Sequence, residues 1–101
     1  MKYIPINKDR IPYVFEINLN NETFQFEVFY NITGDFFTIN LFKNHIPIIH
    51  GEKVVYDVEL FANYKHLGVP KVVIKPLDTT KKTNRISFDD LGEDVFLYVL
   101  D

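Results

Sequence analysis

Tyr13-Val14-Phe15-Glu16-Ile17-Asn18-Leu19, then Asn20-Asn21, then Glu22-Thr23-Phe24-Gln25-Phe26-Glu27-Val28-Phe29-Tyr30 is the stretch that decides the fold class. On an extended backbone, successive side chains point to opposite faces. Tyr13, Phe15, Ile17 and Leu19 then share one face, and Glu16, Asn18 and Asn20 fall on the other. The second run repeats the pattern, with Phe24, Phe26, Val28 and Tyr30 set against Gln25 and Glu27. Between the runs stands Asn20-Asn21-Glu22, and asparagine tolerates the left-handed backbone of a hairpin turn. After Thr33-Gly34-Asp35 a third run sets Phe37, Ile39 and Leu41 against Thr38 and Asn40. Residues 13–42 therefore read as a three-stranded antiparallel meander.

The rest of the chain carries the same signature in coarser form. Of 101 residues, 43 are Ile, Val, Phe, Tyr or Thr, and the only alanine is Ala62. Such side chains suit a pleated surface, whereas alanine favours helices. Ile46 to Ile49 is a short apolar run containing Pro47, so it is an edge strand or none. Val54 to Val58 alternates and reads as a further strand, as does Lys71 to Leu77, cut off by Pro76. Residues 59–67 place Leu60, Phe61, Tyr64 and Leu67 at helical spacing over about two turns, too short to stand without docking. Gly68 is placed to cap that turn and Pro70 to stop it, and Leu67-Gly68-Val69-Pro70 reads as a rigid turn that docks Tyr64 and Leu67 on the sheet. Asp78 to Arg85 has no apolar residue and reads as a mobile loop. Val95 to Leu100 is apolar on both faces, with Phe96, Tyr98 and Leu100 on one and Val95, Leu97 and Val99 on the other. Such a strand is buried twice, or buried once and bound to a partner. The expectation is an all-β fold: a small antiparallel barrel or sandwich of six to seven strands, with one short helical turn near residues 59–67. Residues 1–101 are long enough for a single β domain and no second.

Composition excludes several classes. Without cysteine there is no disulfide scaffold and no thiolate metal site. No apolar run approaches the roughly 20 residues of a membrane helix. The opening Met1-Lys2-Tyr3-Ile4-Pro5-Ile6-Asn7 lacks the apolar core of a secretory leader, so none is expected. The net charge of −3 and the lack of a basic stripe weigh against nucleic acid as a partner.

The search for chemistry is brief. His45, His50 and His66 have no further ligand at metal spacing and read as solvated loop histidines. Asp89, Asp90, Glu93 and Asp94 cluster late, but the calcium-loop spacing is absent. Asp89-Asp90-Leu91-Gly92 reads as a tight turn, with aspartate accepting from backbone donors and Gly92 supplying positive φ. Ser87 has no glycine-framed elbow, and the four glycines form no phosphate-cradling loop. Lys81, Lys82 and Arg85 make a small basic loop of the kind that is usually solvated. Asn21-Glu22-Thr23 and Asn31-Ile32-Thr33 match a glycosylation pattern that recurs by chance. No catalytic role, cofactor or metal is assigned. What remains is a surplus of apolar residues: ten Phe, six Tyr and 29 Val, Ile and Leu are many for one core. Phe29, Phe36, Phe42, Phe96 and Tyr98 are candidates for the face opposite the core, and two readings stay open: some of them make an exposed interaction patch, or a two-layer fold buries both faces.

Leu60-Phe61-Ala62-Asn63-Tyr64-Lys65-His66-Leu67-Gly68-Val69-Pro70 resembles a segment of small phage baseplate plug proteins, found with contractile-tail phages and prophages. The shared pattern is an aromatic, two residues, then Leu-Gly-aliphatic-Pro, here Tyr64, Leu67, Gly68 and Pro70. Ile4-Pro5-Ile6 resembles the family's opening strand. Asp89-Asp90-Leu91-Gly92, followed by Phe96-Leu97-Tyr98-Val99, resembles its close. The chain departs from the pattern where Lys71-Val72-Val73 replaces a glycine after the proline, and where residues 79–85 lack a proline. The resemblance implies a structural part of the virion, sited in the tail baseplate and made in the host cytoplasm. It implies a plug or adaptor against the central hub near the tail-tube lumen, with the tape-measure protein as a further partner. It implies no catalysis, no membrane and no specific nucleic acid, with several copies in one assembly as an option. Phe29, Phe42, Phe96 and Tyr98 are then the candidate partner contacts. The alternative from another class is an oligonucleotide-binding small β-barrel, whose aromatics would stack on single strands.

Overall fold

The computed structural model describes residues 2–100. Its seven strands, in chain order, are β1 (Lys2–Ile4), β2 (Tyr13–Leu19), β3 (Glu22–Asn31), β4 (Phe36–Lys43), β5 (Ile46–Lys53), β6 (Val73–Leu77) and β7 (Phe96–Leu100). They form two antiparallel sheets, one ordered β2-β3-β4-β5 and one ordered β1-β7-β6. The sheets do not close into a barrel.

The meander is built by its turns. Asn20 and Asn21 have φ of 52° and 65°, and Leu19 faces Glu22 across them. Two left-handed residues in a two-residue loop match the twist of the flanking strands. Asn44 and His45, with φ of 51° and 67°, repeat the device between β4 and β5. The alternation then sorts the faces. Phe24, Phe26, Val28, Phe37, Ile39 and Leu41 are buried in one core with Ile4, Ile74 and Leu97 from the other sheet and Val95 just before β7. Tyr13, Phe15, Ile17 and Tyr30 are half-buried at the margin of that core.

Five local expectations are corrected. The strand expected at Val54 to Val58 is absent: β5 ends at Lys53, and the chain then crosses to the other sheet. The Asp57 and Leu60 amides donate to the carbonyls of Pro76 and Ile74, each at 2.8 Å. β5 itself is an edge strand, as Pro47 requires, but runs to Lys53. Pro76 lies inside β6 and does not end it. Its carbonyl faces the crossing segment, so its missing N–H is on the side away from β7. The opening strand ends at Ile4, before Pro5. Residues 62–67 form kinked 3-10 turns, with Tyr64 at non-helical φ/ψ, and none of the six is buried.

The loop after β6 is organised and not merely polar. Asp78 is buried, and its carboxylate accepts from the amides of Thr80, Lys82 and Thr83 and from the Thr80 hydroxyl. A buried acceptor with donors on all sides holds such a loop in one shape.

Candidate interaction surfaces

Each sheet has an outer face, and the two differ. On the three-stranded sheet, β7 is central, so its inner residues Leu97 and Val99 meet the core while Phe96 and Tyr98 point outward. Register puts Tyr3 of β1 opposite Tyr98 and Lys75 of β6 on its other side. The rings of Tyr3 and Phe96 lie 4.7 Å apart, those of Phe96 and Tyr98 6.0 Å, and those of Tyr3 and Tyr98 6.3 Å. These are favourable tilted and edge-on contacts. Tyr98 is covered by its neighbours at 9% exposure, Phe96 is half-buried, and Tyr3 is 48% exposed. The sequence reading missed Tyr3; its signal was the position between Lys2 and Ile4, where the parity of a strand puts it opposite the buried Ile4.

On the four-stranded sheet the outer face mixes apolar and polar rows. Phe29 is 37% exposed and Val14 53%. Phe42 is half-buried in a shallow depression of about 220 Å³ shared with Val14, Gln25 and His45. Gln25 and Asn40 are buried on this face, each hydrogen-bonded through both its amide nitrogen and its oxygen. Gln25 donates to Glu16 at 3.0 Å and accepts from the His45 amide at 2.8 Å. Asn40 donates to Glu27 at 3.1 Å and accepts from the Gly51 amide at 2.7 Å. Phe36 carries Lys53 over its ring, at 4.5 Å from the centroid. The aromatic residues proposed as contacts thus lie on two separate faces, Phe29 and Phe42 on one and Phe96 and Tyr98 on the other.

The motif residues fall into two turns. Tyr64 and Leu67 are exposed at 36% and 44%, so the expected docking of these two on the sheet is overturned. Their neighbours Leu60 and Phe61 do the docking: Phe61 is 1% exposed and meets Phe26 edge-on at 5.9 Å. Phe61 stands at a left-handed φ of 63° before the turns and Tyr64 kinks them with φ of −126°, so the regular spacing does not carry one face from Phe61 through Tyr64 to Leu67. Gly68 follows with φ of 82°, then Val69 and Pro70 are buried. In the second turn the Asp90 carboxylate accepts from the Ser87 amide and hydroxyl, at 3.1 and 2.7 Å. Gly92 has φ of 86°, and its amide donates to the Val95 carbonyl at 2.8 Å. Leu91 is buried, while Asp89 stands at the surface of the turn.

A polar junction escaped the sequence reading. The Asp35 carboxylate accepts from the Tyr30 hydroxyl at 2.6 Å and from the Phe88 amide at 2.9 Å. The first of these bonds, then the second, holds Asp35 below the ordinary carboxylate range. The same bond, with desolvation and the charges of Asp35 and Asp89, pushes the Tyr30 phenol up to about 12. Asp78 is likewise held low, first by the Thr80 hydroxyl and then by backbone amides. Both carboxylates are spent on backbone and hydroxyl donors. Among the described residues no group of three or more His, Asp or Glu side chains could hold a metal, and all three histidines are exposed.

A family model described as cyanophage baseplate Pam3 plug gp18 matches residues 1–101. A comparison with curated proteins returned no match. The match extends from β1 through both motif turns to β7, and so the chain belongs to the family of the cyanophage baseplate Pam3 plug gp18.

Proposed function

We propose that this protein is a structural plug or adaptor of a phage tail baseplate, acting by protein contact and without catalysis. The observation that carries this reading is the family match over the whole chain. We further propose that one β domain spanning 1–101 is held against the central hub near the tail-tube lumen, with the tape-measure protein as a second neighbour. It would be made in the host cytoplasm and end in the virion.

The surface chemistry supports contact as the means. Aromatic side chains bury large areas and are enriched where interfaces concentrate their binding energy. Here they stand on both outer faces, with Phe29 and Tyr3 exposed, Phe42 and Phe96 half-buried and Tyr98 packed beneath its neighbours, which suits a part wedged between neighbours. Phe29 and Phe42 on one face, and Phe96 and Tyr98 on the other, are the proposed anchors. The nucleic-acid alternative would use the same rings, but the net charge of −3 opposes it. Lys75, beside Tyr98, is engaged by Asp57 at 3.7 Å.

The test is mass spectrometry of purified virions together with a baseplate reconstruction. The expected result is a fixed number of copies per particle, with aromatic faces in contact with other tail proteins. A chain found only free in the infected cell would overturn the proposal, as would retention on single-stranded nucleic acid at physiological salt.

A further inference from the structure

The two sides of this sandwich are closed unequally. On the β5–β6 side, the segment after Lys53 bridges the sheets. Val54 donates to the Phe37 carbonyl at 2.9 Å, and Asp57 and Leu60 donate to β6. Phe61 donates to the Glu52 carboxylate at 2.8 Å. On the β1–β2 side no such bridge exists among the described residues. β1 pairs only with β7, and β2 only with β3. A hydrogen bond from the Asn7 amide to the Tyr13 hydroxyl, 2.8 Å, spans this side at the start of β2 alone. Beyond it lies a groove of about 450 Å³ between β1 and the end of β2, floored by Ile4, Ile17, Leu19, Val72 and Val99.

The backbone of β2 is set to receive a strand there. Leu19 and Glu22 flank a two-residue turn and so exchange ladder bonds. Ile17 and Leu19 therefore direct their N–H groups to β3, and Glu16 and Asn18 direct theirs outward. The charge around the groove is one-sided. Lys2 lines it, Lys71 lines an adjoining hollow that shares Asn20 and Val72 with it, and no carboxylate lines either among the described residues. In a chain of net charge −3 this is a local basic rim.

We propose that this seam takes an extended, carboxylate-bearing segment of another baseplate protein as an added strand on β2, with alternate apolar side chains entering the groove. Main-chain bonds supply affinity in such β-augmentation, and the apolar pockets and basic rim supply selectivity. The proposal rests on the baseplate reading above, whose own test, presence in virions, is independent of this one.

The experiment titrates the full-length chain, labelled for amide NMR, with short overlapping peptides tiling the proteins that copurify with it in particles. The expected result is a peptide that shifts the amides of Glu16, Asn18 and residues 2–4. Asn18→Pro, which removes an outward donor at an edge strand, should weaken it by about tenfold or more. Ile32→Ser, in the exposed turn after β3 and outside the groove, should bind within about twofold. Should Asn18→Pro not fold, Lys2→Glu with Lys71→Glu reads the same contact through charge, by weaker binding and a flattened salt dependence. Shifts confined to Phe29 and Phe42, or to Phe96 and Tyr98, would overturn the seam and leave the baseplate reading standing. Self-association through β2, or no peptide moving the seam amides, would overturn it too.

Discussion

Tyr30 donates its phenolic hydrogen to Asp35 at 2.6 Å, and the same carboxylate oxygen accepts the Phe88 amide 53 residues further on. One surface aspartate thus ties the end of β3 to the turn before β4 and to the segment leading into β7. Phe88 also packs on Tyr30 and Phe37, at 4.9 and 6.2 Å between ring centroids. Lys8 adds its ammonium to the Phe88 carbonyl at 2.6 Å. The junction joins the β3–β4 hairpin to Lys8 and to the segment around Phe88.

This junction has a pH signature at both ends. The Asp35 carboxyl is lowered in the folded protein, so its contribution is present above the unfolded value near roughly 4 and is lost as pH falls through the folded value. The Tyr30 phenol is raised to about 12, so its contribution is full below the unfolded value near roughly 10 and is lost as pH rises toward about 12. Denaturant midpoints measured against pH should fall in both windows. Tyr30→Phe should remove the alkaline fall, and Asp35→Asn should reduce the acid one.

The core role moves from Tyr64 to Phe61. Phe61→Ala should destabilise by about 3–5 kcal/mol, because a fully buried ring leaves a cavity. Tyr64→Ala and Leu67→Ala should each change stability by about 0.5 kcal/mol or less, as exposed side chains usually do. Equal losses at Phe61 and Tyr64 in urea unfolding would contradict this assignment.

Gly68 should resist a β-branched replacement. At φ of 82° a valine is strained, although space is open there, with only the Lys43 ammonium within 4 Å, at 3.9 Å. The cost of Gly68→Val should be about 1–3 kcal/mol. Thermal unfolding measures it, and an unchanged midpoint would remove the conformational argument.

Asp78→Ala should loosen the loop that follows β6, since three amides and a hydroxyl lose one shared acceptor. Hydrogen exchange should speed up at Thr80, Lys82 and Thr83 while amides of the β2-β3-β4 meander keep their protection. Uniform loss of protection would show that the loop is coupled to the whole fold.

The outer faces should be separable from folding. Phe29→Ser removes a ring that is 37% exposed, and should leave the fold intact while lowering incorporation into particles. Quantitative mass spectrometry of virions, set against the soluble pool, gives the ratio. Normal incorporation of both Phe29→Ser and Phe96→Ser would exclude these rings as anchors.

The sequence by itself determined what depends on near neighbours along the chain. The period of two in residues 13–42 set the strands and their core face, because a pleated backbone sends alternate side chains to opposite sides. Asn20-Asn21 determined the first hairpin, since few other residues accept two positive φ values in a row. The motifs around Gly68 and Asp90 carried the family resemblance. Tertiary structure decided whatever depended on what lay across a gap. Val54 to Val58 alternates like a strand, yet the Val54 and Asp57 amides donate to Phe37 and Pro76, carbonyls of two different sheets. Phe61 and not Tyr64 is buried because Phe61, where the 3-10 turn begins, is the one that meets Phe26 across the core, a position no local pattern encodes. Gln25 and Asn40 occupy the polar parity and are still buried, since cross-strand partners supply their hydrogen bonds. The open seam between β1 and β2 has no sequence signature at all, because it is the space left when two distant strands find no partner in each other.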